Sequence, residues 1–214
     1  MILDQASEAP ASEVTDAQQN WRQIVRKYQT PSLGKSLWQV INTGIPYLAL
    51  WVIMYFTTSI SWPLTLAFGV LAGLFLIRIF IIFHDCGHGS YFASKRANNI
   101  VGFISGLLTF TPYHHWKWQH AVHHGTSGNL DQRGIGDVWT MTVKEYQASS
   151  IWVRLHYRFT RNPIVLFVLI PLALFFVYQR FSYKRASKRD RRDVYLMNLS
   201  ILIYAIAMSA IFGF

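Results

Sequence analysis

The 214-residue chain is 52% hydrophobic and only 14% charged, whereas soluble domains carry about 25% charged residues. This composition indicates a membrane protein rather than a soluble domain. The net charge of +10 does not indicate nucleic-acid binding, because such proteins present their basic residues on an exposed polar fold. Basic loops at anionic lipid headgroups fit better, so no nucleic-acid partner is expected. The single cysteine, Cys86, excludes an internal disulfide framework.

The first half of the chain predicts a polar arm followed by a helical hairpin. Residues 1–36 form the predicted N-terminal arm, whose acidic start does not match a cleavable signal peptide. No Asp, Glu, Lys or Arg occurs between Trp38 and Ile77. Since a helix needs about 20 apolar residues to cross a bilayer, two spans are predicted, at 38–58 and 62–83.

The second half contains three further apolar runs. The run 100–110 is too short to span, so a re-entrant, interfacial or buried segment is expected. The runs 164–178 and 194–214 enclose FSYKRASKRDRRD, which the positive-inside rule places in the cytoplasm. Because Pro163 and Pro171 break the short run 164–178, this segment is predicted to enter the membrane and return. The expected fold is all-α and integral to the membrane.

The histidines form two groups beside the end of the second predicted span. His84 and His88 lie in HDCGH, and an i, i+4 pair on a continuing helix shares one face. His120, His123 and His124 lie in HAVHH, which places at least two rings on one face, with His123 angled to one side. A lone histidine is usually structural, but ionisable residues grouped beside hydrocarbon are usually functional. Five imidazoles without thiolates suit iron, zinc or copper.

The two boxes, in this order after a hydrophobic hairpin, resemble those of the membrane fatty-acid desaturases. The stretch GTSGNLDQRGIGDVWTMTVKEY and the later YRFTRNP resemble bacterial desaturases that act on phospholipid chains. The resemblance implies that residues 37–214 form a membrane fatty-acid desaturase domain. It also implies two non-haem iron ions, held by all five box histidines on the cytoplasmic side of the cytoplasmic membrane.

The resemblance further implies oxygen-dependent desaturation of the acyl chains of membrane lipids. The expected partners are the membrane acyl lipid, dioxygen and an electron donor such as ferredoxin or a cytochrome. No catalytic side chain beyond the metal ligands is expected, because metal-bound oxygen supplies the oxidant. The family's third box, HxxHH, is absent from the sequence, which ends in the apolar SAIFGF. The domain is therefore expected to be incomplete at its C-terminus and inactive or unstable alone.

Other polar and aromatic residues are candidates for supporting roles. Histidine ligands need acceptors for their second nitrogen, and the nearby carboxylates are those of Asp85, Asp131 and Asp137. The last two could equally cap turns in their glycine-rich segment. Candidates for lining a substrate groove are Trp116, Trp118 and Trp139, although interfacial anchoring explains each tryptophan equally well. His156 is expected to be structural or interfacial. His114 and His115 precede the second box but lie outside the motif, so they are not expected to be metal ligands.

Three alternatives to a lipid desaturase remain at this point. A carotenoid oxygenase or alkane hydroxylase of the same fold uses similar histidine boxes, and only the resemblance of GDVWTMTVKEY favours the lipid desaturases. A non-catalytic remnant is a second alternative. A membrane haem protein is a third, but it needs histidines paired across helices inside the bilayer.

Overall fold

The structure, a computed structural model, describes residues 23–26, 28–134, 136–183 and 186–213. These residues form helices and turns and no strand, which confirms the predicted all-α fold. The helices are α1 (Leu33–Thr57), α2 (Trp62–His88), α3 (Lys95–Leu108), α4 (Tyr113–Thr126), α5 (Val143–Ala148), α6 (Ile151–Thr160), α7 (Ile170–Phe176) and α8 (Lys188–Phe212). A π-helical turn, Val165–Leu169, precedes α7.

Three of these helices, α1, α2 and α8, are long and apolar enough to cross a membrane. The bent pair Ile151–Thr160 and Val165–Arg180 would make a fourth if it were one span. The predicted hairpin is confirmed, since α1 and α2 correspond to the two predicted spans. Much of the predicted arm, residues 1–22 and 27, lies outside the described residues, and α1 begins within the arm at Leu33.

Two helices extend beyond the predicted apolar segments, because their caps lie outside those segments. The second span was predicted to end at residue 83, but α2 continues through the first box to His88. Gly89 then ends it in the left-handed conformation (φ 72°) that favours glycine. The last apolar run was predicted to start at residue 194, yet α8 starts in the basic segment at Lys188. There Ser187 and Asp190 form a capping box that satisfies the first backbone N–H groups.

The start of α1 lies at the same end of the helix bundle as the end of α2, which carries the first histidine box. This end is called the histidine end below. Ser36 Oγ donates to the Tyr91 carbonyl at 2.6 Å, and Tyr91 Oη donates back to the Ser36 carbonyl at 2.9 Å. Both residues are buried, so the two hydrogen bonds fix α1 to the loop that follows the first histidine box.

Helix α8 also begins at this histidine end. Near its start, Asp193 Oδ2 accepts the backbone N–H of His114 at 2.9 Å. At its other end, the Phe212 ring lies 5.2 Å from the Tyr55 ring, close to the end of α1. A single crossing by residues 164–178 would have placed the basic start of α8 at the opposite end. The placement, with a 66° bend between the two segments, favours the interpretation that this region enters and returns.

Helix α3 contains most of the short apolar run 100–110 and begins before it, because Ser94 caps the helix by accepting the Ala97 N–H. The face of α3 that packs against Tyr113 and Thr111 carries glycines. A Cβ at Gly102 would lie 2.2 Å from the Tyr113 ring, and one at Gly106 would lie 2.5 Å from the Thr111 carbonyl oxygen. Two glycines four residues apart let neighbouring backbones approach closely, as in many membrane helix pairs. The opposite face leaves Ile100 and Ile104 exposed.

Replacing Gly102 with alanine is expected to lower the free energy of unfolding by about 1–3 kcal/mol. The added methyl displaces the Tyr113 ring, whose hydroxyl donates to the Cys86 carbonyl at 2.7 Å. Thermal unfolding in detergent measures the effect. Gly73→Ala is the control, because a Cβ at Gly73 meets no heavy atom within 4 Å. Equal midpoints for the two variants would contradict the predicted crowding at Gly102.

Candidate metal centre

Helices α2 and α4 bring four imidazoles together at the histidine end of the bundle: those of His84, His88, His120 and His124. One ring nitrogen of each lies within 4.8 Å of those of all the others. His120 Nε2 is 3.0 Å from His84 Nε2, 3.1 Å from His88 Nε2 and 3.0 Å from His124 Nε2. When two nitrogens bind the same ion at about 2.0–2.1 Å and the two bonds make a right or tetrahedral angle, the nitrogens lie about 3.0–3.4 Å apart. The spacing is therefore that of ligands around one ion.

The chemistry of the four rings also fits a cation. A neutral imidazole has one N–H donor and one acceptor, so four Nε2 atoms that face one another cannot all be satisfied mutually. Burial, followed by the nearby histidines, lowers the pKa of His120 to about 4. The ring is therefore neutral at pH 7 and offers a lone pair. A shared transition-metal ion relieves the repulsion between such lone pairs, and nitrogen donors suit iron, copper and zinc.

Two of the three predicted supporting carboxylates contact histidine rings. Asp85 Oδ1 lies 3.0 Å from His84 Nδ1, and Asp137 Oδ1 lies 2.7 Å from His123 Nδ1. Such contacts assign the ring proton to Nδ1 and leave Nε2 free to bind metal. The structure does not bring Asp131 to a histidine. It lies exposed in the short turn Leu130–Gln132, where its backbone N–H donates to the Asn129 side chain.

His123 stands apart from the four-histidine cluster. Its ring centroid is 6.0 Å from that of His120, and its Nδ1 faces Asp137. Gly136 packs against it with a φ of 79°, and a Cβ there would lie 2.9 Å from His123 Cβ. Glycine is the residue that adopts this conformation without strain. The Gly136–Asp137 pair therefore holds the His123 ring in its own orientation.

Trp116 packs against the four-histidine cluster. Its ring stacks on His120, with centroids 4.3 Å apart and planes 17° apart. Gly87, inside the first box, makes room, since a Cβ there would lie 2.8 Å from Trp116 Cζ3. On its other side Trp116 contacts Phe80, which lines an apolar cavity of about 440 Å³ shared with Phe175. Trp116 thus contacts both His120 of the cluster and Phe80 of the cavity lining.

Residues 60–214, well over half of the chain, match the model of the fatty acid desaturase family. The chain belongs to this family. This finding confirms the resemblance drawn from HDCGH and HAVHH.

Curated relatives of this desaturase-family chain have names that agree. A fatty acid desaturase of Bacillus subtilis (strain 168) is 47% identical over 189 residues, covering 88% of this chain and 54% of the relative. An sn-1 oleoyl-lipid 12-desaturase of Synechocystis is 28% identical, covering 76% and 43%. An sn-1 acyl-lipid omega-3 desaturase (ferredoxin) of Synechocystis is 32% identical, covering 52% and 31%. The chain spans about half the length of the first two relatives. No solved structure matches.

The other two tryptophan candidates lie away from the histidine cluster. Trp118 stacks on His115, with ring centroids 6.1 Å apart. Trp139 is exposed and lies 5.7 Å from the ring of His156, itself exposed on α6. Neither tryptophan has a described ring contact with the cluster, so Trp116 is the one of the three that reaches it.

The two histidines that precede the second box occupy the first turn of α4. Burial lowers the pKa of both His114 and His115, and His115 is fully buried. Their backbone N–H groups donate to Asp193 Oδ2, at 2.9 and 3.1 Å. The sequence reasoning missed Asp193, because a contact across nearly eighty residues leaves no local signal. An acidic residue amid the basic start of an apolar helix was the available hint.

Proposed function

We propose that the chain provides the first two histidine boxes of an oxygen-dependent acyl-lipid desaturase with a di-iron centre. The convergence of four histidine ring nitrogens at one end of the helix bundle carries the proposal. When bound, iron supplies the oxidising power, drawn from dioxygen and an electron donor, that removes hydrogen from an unactivated methylene. The protein residues hold the metal, orient the acyl chain and exclude water.

Each histidine has a separate place in this proposal. His84, His88, His120 and His124 hold one iron ion, which their mutual spacing fits. His123, whose Nδ1 contacts Asp137, lies outside this group of four and belongs to the second iron. The family's third box is not among these 214 residues, so the second site is incomplete within the chain.

The fold and the relatives support the proposed substrate and orientation. The apolar cavity beyond Trp116, between α2 and α7, suits the acyl chain of a membrane lipid. The basic start of α8 lies at the histidine end, and the positive-inside rule supports placing that end on the cytoplasmic face of the cytoplasmic membrane. One Synechocystis relative is named as a ferredoxin enzyme, which supports ferredoxin over a cytochrome as donor.

The activity test uses a bacterial host that makes no unsaturated acyl chains by desaturation. The chain is expressed alone and, separately, joined to the segment of the Bacillus subtilis relative that follows the matched residues. We expect a new double bond in the lipids from the joined protein and none from the chain alone. Gas chromatography with mass spectrometry identifies the product.

The same host distinguishes the alternatives. A hydroxyl or keto product would favour a hydroxylase or oxygenase of the same fold. A double bond that persists after His88→Ala in the joined protein would contradict the assigned metal site. Iron content of the purified chain is a separate measurement, and we expect iron to bind the wild-type chain even where no product forms.

A further inference from the structure

A second, polar cleft opens beside His88, on the side of α4 away from Trp116. It has a volume of about 650 Å³ and lies where α3, α4 and the start of α8 meet the end of α2. This volume is within the range of small-molecule sites, about 300–1,000 Å³. The desaturation chemistry proposed above uses none of its side chains except His88 at the rim.

Positive charge dominates the cleft. Lys95, Lys117 and Arg189 line it, and the described part of the chain shows none of them in an ion pair. The one lining carboxylate, that of Asp190, already accepts from Ser187 Oγ at 2.6 Å and from the Ser187 backbone N–H at 3.3 Å. Three cations therefore face one carboxylate that is engaged in capping α8.

The charges around the cleft affect the pKa of His114, which also lines the cleft. Burial lowers its pKa most, Asp193 opposes the shift, Arg189 and Lys117 lower the pKa further, and Asp190 raises it. Arg189 and Lys117 are therefore close enough to act on a group in the cleft wall, in opposition to the two carboxylates. An anion is the complementary ligand.

An apolar surface continues from the cations along the same helix. A neighbouring cleft shares Asn99 and His114 with the first and extends past Ile100, Phe103 and Ile104. Ile100 is 50% exposed and Ile104 is 54% exposed, and Arg96 lines the same neighbouring cleft. A cationic cleft next to an apolar strip is complementary to an amphiphile with an anionic headgroup.

We propose that this cleft binds the phosphate of a glycerophospholipid, with the lipid's glycerol and first methylenes along the strip on α3. The inference rests on the proposed function, because it adds a headgroup site to a protein proposed to act on membrane lipids. The cleft holds the headgroup at the His88 rim. A free phosphate would leave the apolar strip uncovered. A protein partner needs a broad surface, commonly about 800 Å² on each side, and a concave hollow of this size does not offer one.

The test measures lipid binding by the full chain in uncharged detergent micelles at low ionic strength. The probes are dioctanoyl phosphatidylglycerol, dioctanoylglycerol, which has the same chains without phosphate, and inorganic phosphate. The triple variant Lys95→Gln/Lys117→Gln/Arg189→Gln is expected to bind phosphatidylglycerol about fivefold more weakly for each cation removed. Its binding of dioctanoylglycerol should not change. The matched control, Arg26→Gln/Lys35→Gln/Lys144→Gln, removes the same charge from exposed positions outside the cleft.

A second variant keeps the test independent of the folding of the triple variant. Asn99→Asp places a carboxylate in the cleft and should weaken phosphatidylglycerol binding about fivefold or more, whereas Asn129→Asp in an exposed turn should not. Ile100→Ser/Ile104→Ser should weaken binding of the lipid without affecting any competition by inorganic phosphate.

Three results would overturn the inference. Equal losses in the cleft and control variants would show general attraction to a basic surface. Displacement of the lipid by inorganic phosphate at the lipid's own concentration would show a free-phosphate site. Unchanged lipid binding, with lost affinity for an acidic ferredoxin, would show a docking surface for the donor. Because binding is measured without turnover, a chain that binds the lipid but no iron would refute only the proposed function.

Discussion

Replacing His120 with alanine is expected to reduce the affinity of the chain for iron by more than 100-fold. Its Nε2 lies within 3.1 Å of the Nε2 atoms of three other histidines, so it is the shared neighbour of the whole cluster. Loss of a residue that only orients a ligand typically costs 10–100-fold in metal affinity, and loss of a ligand itself costs more. Iron content after dialysis, and affinity from chelator competition, measure the change.

The control for this variant is His156→Ala. His156 is exposed on α6 and packs against Trp139, outside the cluster, so its loss should leave the iron affinity unchanged. Alanine is a good helix former, and the helical content of both variants should match the wild type by circular dichroism. Iron retained by the His120 variant, or lost equally by both, would show that the cluster is not the binding site.

The sequence was sufficient to predict the contacts that depend only on the periodicity of a single helix. His84 and His88 lie four residues apart, as do His120 and His124, and each pair converges because each sits on a continuous helix. The carboxylates near the boxes were found by chemistry alone, since a histidine ligand needs an acceptor. The sequence could not separate Asp137, which reaches His123, from Asp131, which does not. That choice depends on the turn at Gly136 rather than on composition.

Contacts between distant elements were beyond the reach of the sequence. Gly87 was read as part of a histidine motif, yet the structure shows that it leaves space for Trp116 to stack on His120. Likewise, the role of Gly102 on α3 becomes clear only from its contact with the Tyr113 ring. Shape complementarity of this kind involves residues far apart in the chain, so no short-range pattern encodes it.

The same limit applies to the way α8 supports the second box. The N-cap of α4 is Pro112, which has no side-chain acceptor for the free N–H groups of the first turn. Asp193 fills that role from α8, accepting from His114 at 2.9 Å and from His115 at 3.1 Å while only 6% exposed. Its negative charge also complements the positive end of the helix dipole. A residue of the last described helix thus fixes the helix that carries two cluster histidines.

Asp193→Ala is therefore expected to destabilise the chain by about 2–4 kcal/mol, because it leaves two backbone donors without their acceptor. For a chain of this length the thermal midpoint should fall by about 5–15 °C. Asp193→Asn retains an acceptor oxygen and should recover most of the loss.

The effect should extend to the metal, because α4 carries His120 and His124 as well as the first-turn donors that Asp193 holds. At a temperature where both variants are folded, we expect Asp193→Ala to bind iron about tenfold more weakly than Asp193→Asn, by analogy with residues that orient ligands. A purely structural anchor would lower the melting midpoint of the alanine variant but leave equal iron affinities in the folded proteins. That result would mean that the α8 contact stabilises the bundle without positioning the second histidine box.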